Sequence, residues 1–212
     1  MRVFAALRPP ADVLEHLDGA LSGVRAGSGL SLRWSDPAQW HLTLAFHPAL
    51  PAGALEGVAD ELAHTARRHA PLDLALHGAG EFGHRTLWIG VAGQTAQLAD
   101  LMAEDLLGEG SEDGADGAVR GGRRDPRERR RAHLTVARVS ARAPRAPRRR
   151  RRGEAPEPDP TRMLLDSAVN ALSVYRGPTW RAREIELLAS HLGEGRGGGP
   201  RHEVLATVPL GG

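Results

Sequence analysis

Two short stretches of this chain set a histidine and, two residues later, a threonine inside an otherwise apolar run: "HLTLAF" at 41–46 and "HLTVAR" at 133–138. Alternate residues of a strand share a face. The pattern therefore predicts His41, Thr43 and Ala45 on one side and Leu42, Leu44 and Phe46 on the other. The second copy predicts His133, Thr135 and Ala137 against Leu134 and Val136. A core-facing surface has no use for imidazoles and hydroxyls. Two such strands facing each other across a junction would gather two of each in one cleft. Imidazole has an unperturbed pKa of about 6.5, so near neutrality one ring can take a proton while the other gives one. Each such transfer is worth roughly 10²–10⁴-fold in rate. The hydroxyls can donate to non-bridging phosphate oxygens as charge builds on a five-coordinate phosphorus. That set suits phosphodiester chemistry without a metal.

Strands that face each other this way need a scaffold, and hydrophobic periodicity outlines one. "RVFAAL" (2–7) reads as an opening strand closed by Pro9-Pro10, and "SLRW" as a short strand before the first motif. "PLDLALHGAGEF" and "RTLWIGVA" alternate as strands joined near Gly83, a hairpin signal. "AHLTVARV" is one more strand, and "REIELLASHL" and "HEVLATVPL" close the chain, split by "GEGRGGGP". Helical spacing of apolar residues appears at 11–24, 53–69, 95–107 and from Met163 to Leu172. This order lacks the regular alternation of a doubly wound parallel sheet. It predicts an α+β protein of two similar lobes, each with a mainly antiparallel sheet, outer helices and one histidine motif.

Composition narrows the classes. At 212 residues with 41% hydrophobic content, the chain is long enough for one domain of two lobes with a real core. It has no cysteine, which removes disulfides and thiolate metal sites. No apolar run approaches the ~18 residues of a membrane span, and the N-terminal stretch is too short for a signal sequence. A soluble, cytoplasmic protein is expected. All 28 basic residues are arginine, and 14 of them fall within 123–152 against only Asp125 and Glu128, a local +12. The other 14 stand against 24 acids, −10. Residues 108–131 and 139–160 have few large apolar side chains and are expected to be disordered loops. Their arginine runs could grip RNA phosphates or be a solvated insertion. The remaining histidines, His202 among them, show no metal-ligand spacing and are expected in surface or capping roles. Trp34, Trp40, Trp88 and Trp180 read as core or lobe-interface residues, and Trp40, next to the first motif, could help shape the cleft. Arg33 could reach the phosphate, with a surface ion pair the favoured reading.

The paired motifs, with "MRVFAALRPP", "LRW", "TLWIGV", "ELLASHL" and "HEVLATVPL", resemble the 2H phosphoesterases. The nearest branch is the bacterial RNA 2′,3′-cyclic phosphodiesterases, also called 2′-5′ RNA ligase-like proteins. The resemblance implies one bilobal domain over 1–212 with a pseudo-twofold axis, working as a monomer without cofactor or metal. It implies hydrolysis of a 2′,3′-cyclic phosphate on an RNA end or nucleotide to a 2′-phosphomonoester, with reverse 2′-5′ ligation in vitro left open. His41 and His133 would be the acid–base pair, with His133 activating water and His41 protonating the leaving 3′-oxygen. Thr43 and Thr135 would hold phosphate. Phe46 and Arg138, sixth in each copy, would flank the base, which strict alternation forbids unless the strands bend. His47-Pro48 stands where the family usually has Leu-Gly. Two alternatives remain: a family enzyme for a small cyclic nucleotide or ADP-ribose-type cyclic phosphate, and a non-catalytic RNA-binding protein.

Overall fold

The computed structural model describes residues 1–108, 110, 112–113, 131–144, 159–195 and 198–211. Ten strands and four α-helices follow one another among these residues. They are β1 (Val3–Leu7), α1 (Ala11–Ser28), β2 (Leu32–Trp34), β3 (Leu42–His47), α2 (Leu55–Ala66), β4 (Leu72–Phe82) and β5 (Thr86–Gly93). Then come α3 (Thr95–Ala103), β6 (Glu112–Asp113), β7 (His133–Val139), α4 (Pro160–Leu172), β8 (Arg176–Ala182), β9 (Glu184–His191) and β10 (Arg201–Pro209).

The strands form two five-stranded sheets, ordered β10-β9-β1-β3-β6 and β8-β4-β5-β7-β2, and every pairing is antiparallel. In these parallel lists the two histidine motifs, on β3 and β7, hold the same fourth place. The expected α+β architecture of two pseudo-symmetric lobes is therefore what the chain adopts. Its halves are interleaved in sequence: β2 belongs to the second sheet, whereas β9 and β10 return to flank β1 in the first. Helices α1 and α4 pack on β8 and on β4 and β5, and α2 lies on β9 and β10. The main core lies beneath these helices, with Val13, Leu17 and Leu21 of α1 and Leu165 and Leu172 of α4 fully or almost fully buried.

Local chemistry explains the element ends. Helix α4 starts at Pro160, whose missing N–H costs nothing in a first turn, behind Asp159, whose carboxylate accepts from the N–H of Thr161 at 2.9 Å. The β4–β5 hairpin turns through Gly83 and His84, both at positive φ. Strand β8 is absent from the periodicity reading because Gly177 and Pro178 break its pattern. It is an edge strand, where a proline without a ladder N–H is tolerated. The stretches expected as loops, 108–131 and 139–160, lie for the most part outside the described residues. Within them Glu112–Asp113 pair with Ala45 and Phe46 of β3. Among the described residues no helix is long and apolar enough to cross a membrane.

Candidate active site

His41 stands just before β3 and His133 opens β7. Each ring is anchored in the same way. His41 Nδ1 lies 2.7 Å from the carbonyl oxygen of Gln39, and His133 Nδ1 lies 2.8 Å from that of Arg131. A carbonyl oxygen only accepts, so Nδ1 must carry the proton in both rings and Nε2 is the nitrogen left to exchange one. Aromatic rings fix both planes. Phe4 and His202 pack on His41 at centroid distances of 4.7 and 5.1 Å. Phe82 and Trp88 pack on His133 at 4.8 and 6.2 Å.

The face on which each motif residue stands departs from simple alternation at one point per copy. Ala5 pairs with Ala45 but Ala6 pairs with Thr43, so β3 carries an extra residue at Leu44. Leu87 pairs with Ala137 but Trp88 pairs with Thr135, so β7 carries an extra residue at Val136. These are β-bulges at the same motif position, and each resets the alternation beyond it. Ala45 and Ala137, expected beside the histidines, instead join Leu42, Leu44, Leu134 and Val136 in the main core. Phe46 and Arg138 turn onto the cleft side.

The result is a cleft of about 610 Å³ lined by His41, Thr43, Phe46, His133, Thr135 and Arg138 together. All six residues singled out from the sequence thus meet in one place. Phe46 offers little of its ring, being 6% exposed and covered by the Arg2 guanidinium at 4.9 Å. Arg2, Arg33 and Arg201 also line the cleft, against Asp36 and Glu194. Arg201 is neutralised by Glu194 at 2.8 Å and Glu203 at 3.5 Å. The surplus of cation favours an anionic occupant. Among the described residues no group of His, Asp or Glu is arranged to hold a metal ion.

The 2′-5′ RNA ligase superfamily model matches residues 8–176, most of the chain and both motifs. The chain belongs to that superfamily. A Geobacillus stearothermophilus protein named RNA 2′,3′-cyclic phosphodiesterase is 30% identical over 191 residues, 87% of this chain. The chain spans about half, 50%, of that relative's length. In fold, a Thermus thermophilus protein superposes with a TM-score of 0.64 at 24% identity, covering 100% of this chain and 99% of its own. Escherichia coli LigT complexed with phosphate gives 0.61 at 18% identity, covering 100% and 98%. The resemblance read from the motifs is borne out.

The cleft of this superfamily member also holds residues that sequence reasoning placed elsewhere. His202, expected on the surface or at a cap, packs its ring edge to face with Phe4 and His41. Its backbone N–H donates to Gln39 Oε1 at 3.0 Å, so Gln39 ties β10 to the anchor of His41. Nothing local signals this contact, because His202 and His41 are joined only through the β10-β9-β1-β3 order. Arg33, for which a surface ion pair is the favoured reading over contact with the phosphate, lines the cleft and makes no ion pair among the described residues. Trp40 is 1% exposed and lies in the core beneath the motif, and Trp34 donates from Nε1 to Ser28 Oγ at 3.0 Å. The arginine runs, read either as RNA contacts or as a solvated insertion, lie almost wholly outside the described residues. Arg131 is among those described, and its guanidinium sits 4.7 Å over the Trp88 ring.

Proposed function

We propose that this protein hydrolyses 2′,3′-cyclic phosphate ends of RNA to 2′-phosphomonoesters through its two cleft histidines. The observation that carries the reading is the matched anchoring. Two imidazoles, each with Nδ1 held by the carbonyl two residues back, share one cation-rich cleft with one threonine apiece. The name of the Geobacillus relative supports the same substrate chemistry.

Water attacks phosphorus while neutral His133 takes its proton on Nε2. Protonated His41 gives the Nε2 proton to the departing 3′-oxygen, which leaves the phosphate on the 2′-oxygen. Thr43 and Thr135 donate to the non-bridging oxygens, where charge builds in the transition state. The terminal base lies between Arg138 and the Phe46–Arg2 stack, since a guanidinium face packs on any base. The whole chain works as one bilobal catalytic unit.

RNA ending in a 2′,3′-cyclic phosphate, with the product read by phosphorus NMR, tests this directly. A 2′-phosphate is expected. A 3′-phosphate would reassign the leaving group, and no product would overturn the reading. His41→Ala and His133→Ala should each lower kcat by at least ~10²-fold while the unfolding midpoint stays near wild type. Full activity in either variant rejects the two-histidine mechanism.

A further inference from the structure

Strand β2 is three residues long and lies at the edge of its sheet, and its middle residue is an arginine directly opposite another. Arg33 is the register partner of Arg138. Flanking pairs pack against the core, Leu32 opposite Val139 and Trp34 opposite Ala137, with Trp34 also bordering the cleft. Arg33 and Arg138 therefore share the cleft face, and both line the cleft. Like charges directly opposite on one face of an antiparallel ladder repel. Arg33 is exposed and no acid among the described residues pairs with it. The carboxylate nearest in sequence, Asp36, also lines the cleft but accepts the N–H of Ala38 at 3.0 Å.

We propose that Arg33 and Arg138 form a two-pronged clamp for the phosphate on the 5′-oxygen of the terminal nucleotide. This rests on the reading of the site as a cyclic phosphodiesterase. In that reading the reacting phosphate occupies the 2′,3′ edge of the ribose, beside Thr135. The base lies against Arg138, further along β7. The 5′-oxygen is then the one ribose substituent left to carry an anion, and it leads away from the histidines toward the outer end of the strand. A bound phosphate gives the two guanidiniums one shared anion and two charge-assisted contacts, the geometry guanidinium forks favour. Arg138 can serve both base and phosphate, stacking through its face and donating from its edge. Such a clamp makes a 5′-phosphorylated or internucleotide-linked end the preferred substrate over a bare nucleoside cyclic phosphate.

Three substrates separate the sources of that phosphate: a nucleoside 2′,3′-cyclic phosphate, the same compound with a 5′-monophosphate, and a dinucleotide ending in a 2′,3′-cyclic phosphate. Arg33→Ala should raise KM about 5- to 20-fold for substrates with the 5′-side phosphate. It should leave kcat, and the bare cyclic nucleotide, within about twofold. An effect on the dinucleotide alone assigns the clamp to an internucleotide phosphate, and an effect on both assigns it to either. Arg33→Lys should recover part of the loss, keeping the charge without the fork. The salt dependence of dinucleotide KM should fall by roughly one phosphate contact in Arg33→Ala. Equal effects on all three substrates, or none, overturn the clamp. Calorimetric binding of a nucleoside 2′-phosphate against its 2′,5′-bisphosphate tests it without turnover. If wild type hydrolyses nothing, the enzyme reading falls, while a bisphosphate preference that Arg33→Ala abolishes still upholds the clamp. Absence of that preference rejects it.

Discussion

In the proposed mechanism the hydroxyls and rings that meet in the cleft act through single atoms, so substitutions there separate chemistry from folding. Thr43 and Thr135 are half-buried and stand one strand repeat from their histidines. Thr43→Ala and Thr135→Ala should each lower kcat by about 10²-fold with little change in KM, because the lost donor acts on charge that develops only in the transition state. Single-turnover rates check this, and Thr→Ser should retain most of the activity. Away from the cleft, Tyr175 is the single tyrosine of the chain and bonds His16 Nδ1 at 3.1 Å. Burial pushes its phenol from 10.0 up to about 12. The unfolded chain therefore ionises first as pH rises. The stability Tyr175 contributes is intact below pH 10.0 and lost as pH climbs toward about 12. The unfolding midpoint should fall across that window in wild type and fall less in Tyr175→Phe, with tyrosinate absorbance reporting the ionisation.

At the scale of elements, the bulges at Leu44 and Val136 decide which motif residues face the cleft, and glycines decide whether the rings beside them fit. Gly80 on β4 is the register partner of Trp88 on β5. A Cβ at Gly80 would lie 2.1 Å from the indole. The tryptophan cannot stay in place, and it borders His133. Gly80→Ala should cost roughly 1–3 kcal/mol in denaturant unfolding and reduce turnover as the His133 ring loses its backing. Unchanged stability would mean the indole has another resting place. The helices and eight of the strands were legible from apolar spacing, since that spacing is a local property. Strand β8 was not, because its Gly-Pro break mimics a turn. The two-residue β6 is too short to show a period at all.

For the molecule as a whole, the first sheet draws β1 and β3 from the start of the chain and β9 and β10 from its end. Strand β1 is sandwiched between β3 and β9, with Val3, Ala5, Ala6 and Leu7 fully buried. A chain ending at residue 183 would keep both motifs yet leave β1 unpaired on one side and α2 without the strands it covers. It should show no cooperative unfolding transition by circular dichroism, and no hydrolysis. A cooperative, active truncated chain would show that the sheets fold independently. The same long-range pairing makes this a high contact-order fold, slow to assemble relative to a helical bundle of its length.

The sequence by itself singled out the candidate reacting groups, His41, Thr43, His133 and Thr135, and set each pair on one face of its own strand. Both follow from side-chain identity and the two-residue period of a strand, which need no knowledge of the rest of the chain. Tertiary structure decided that Phe46 and Arg138, which the resemblance puts beside the base against strict alternation, face the cleft while Ala45 and Ala137 do not. It also decided that His202 joins His41 and that Arg33 stands opposite Arg138. A bulge exists only relative to the partner strand, and register between strands far apart in sequence is settled by packing of the whole sheet. No spacing within either six-residue motif carries that information.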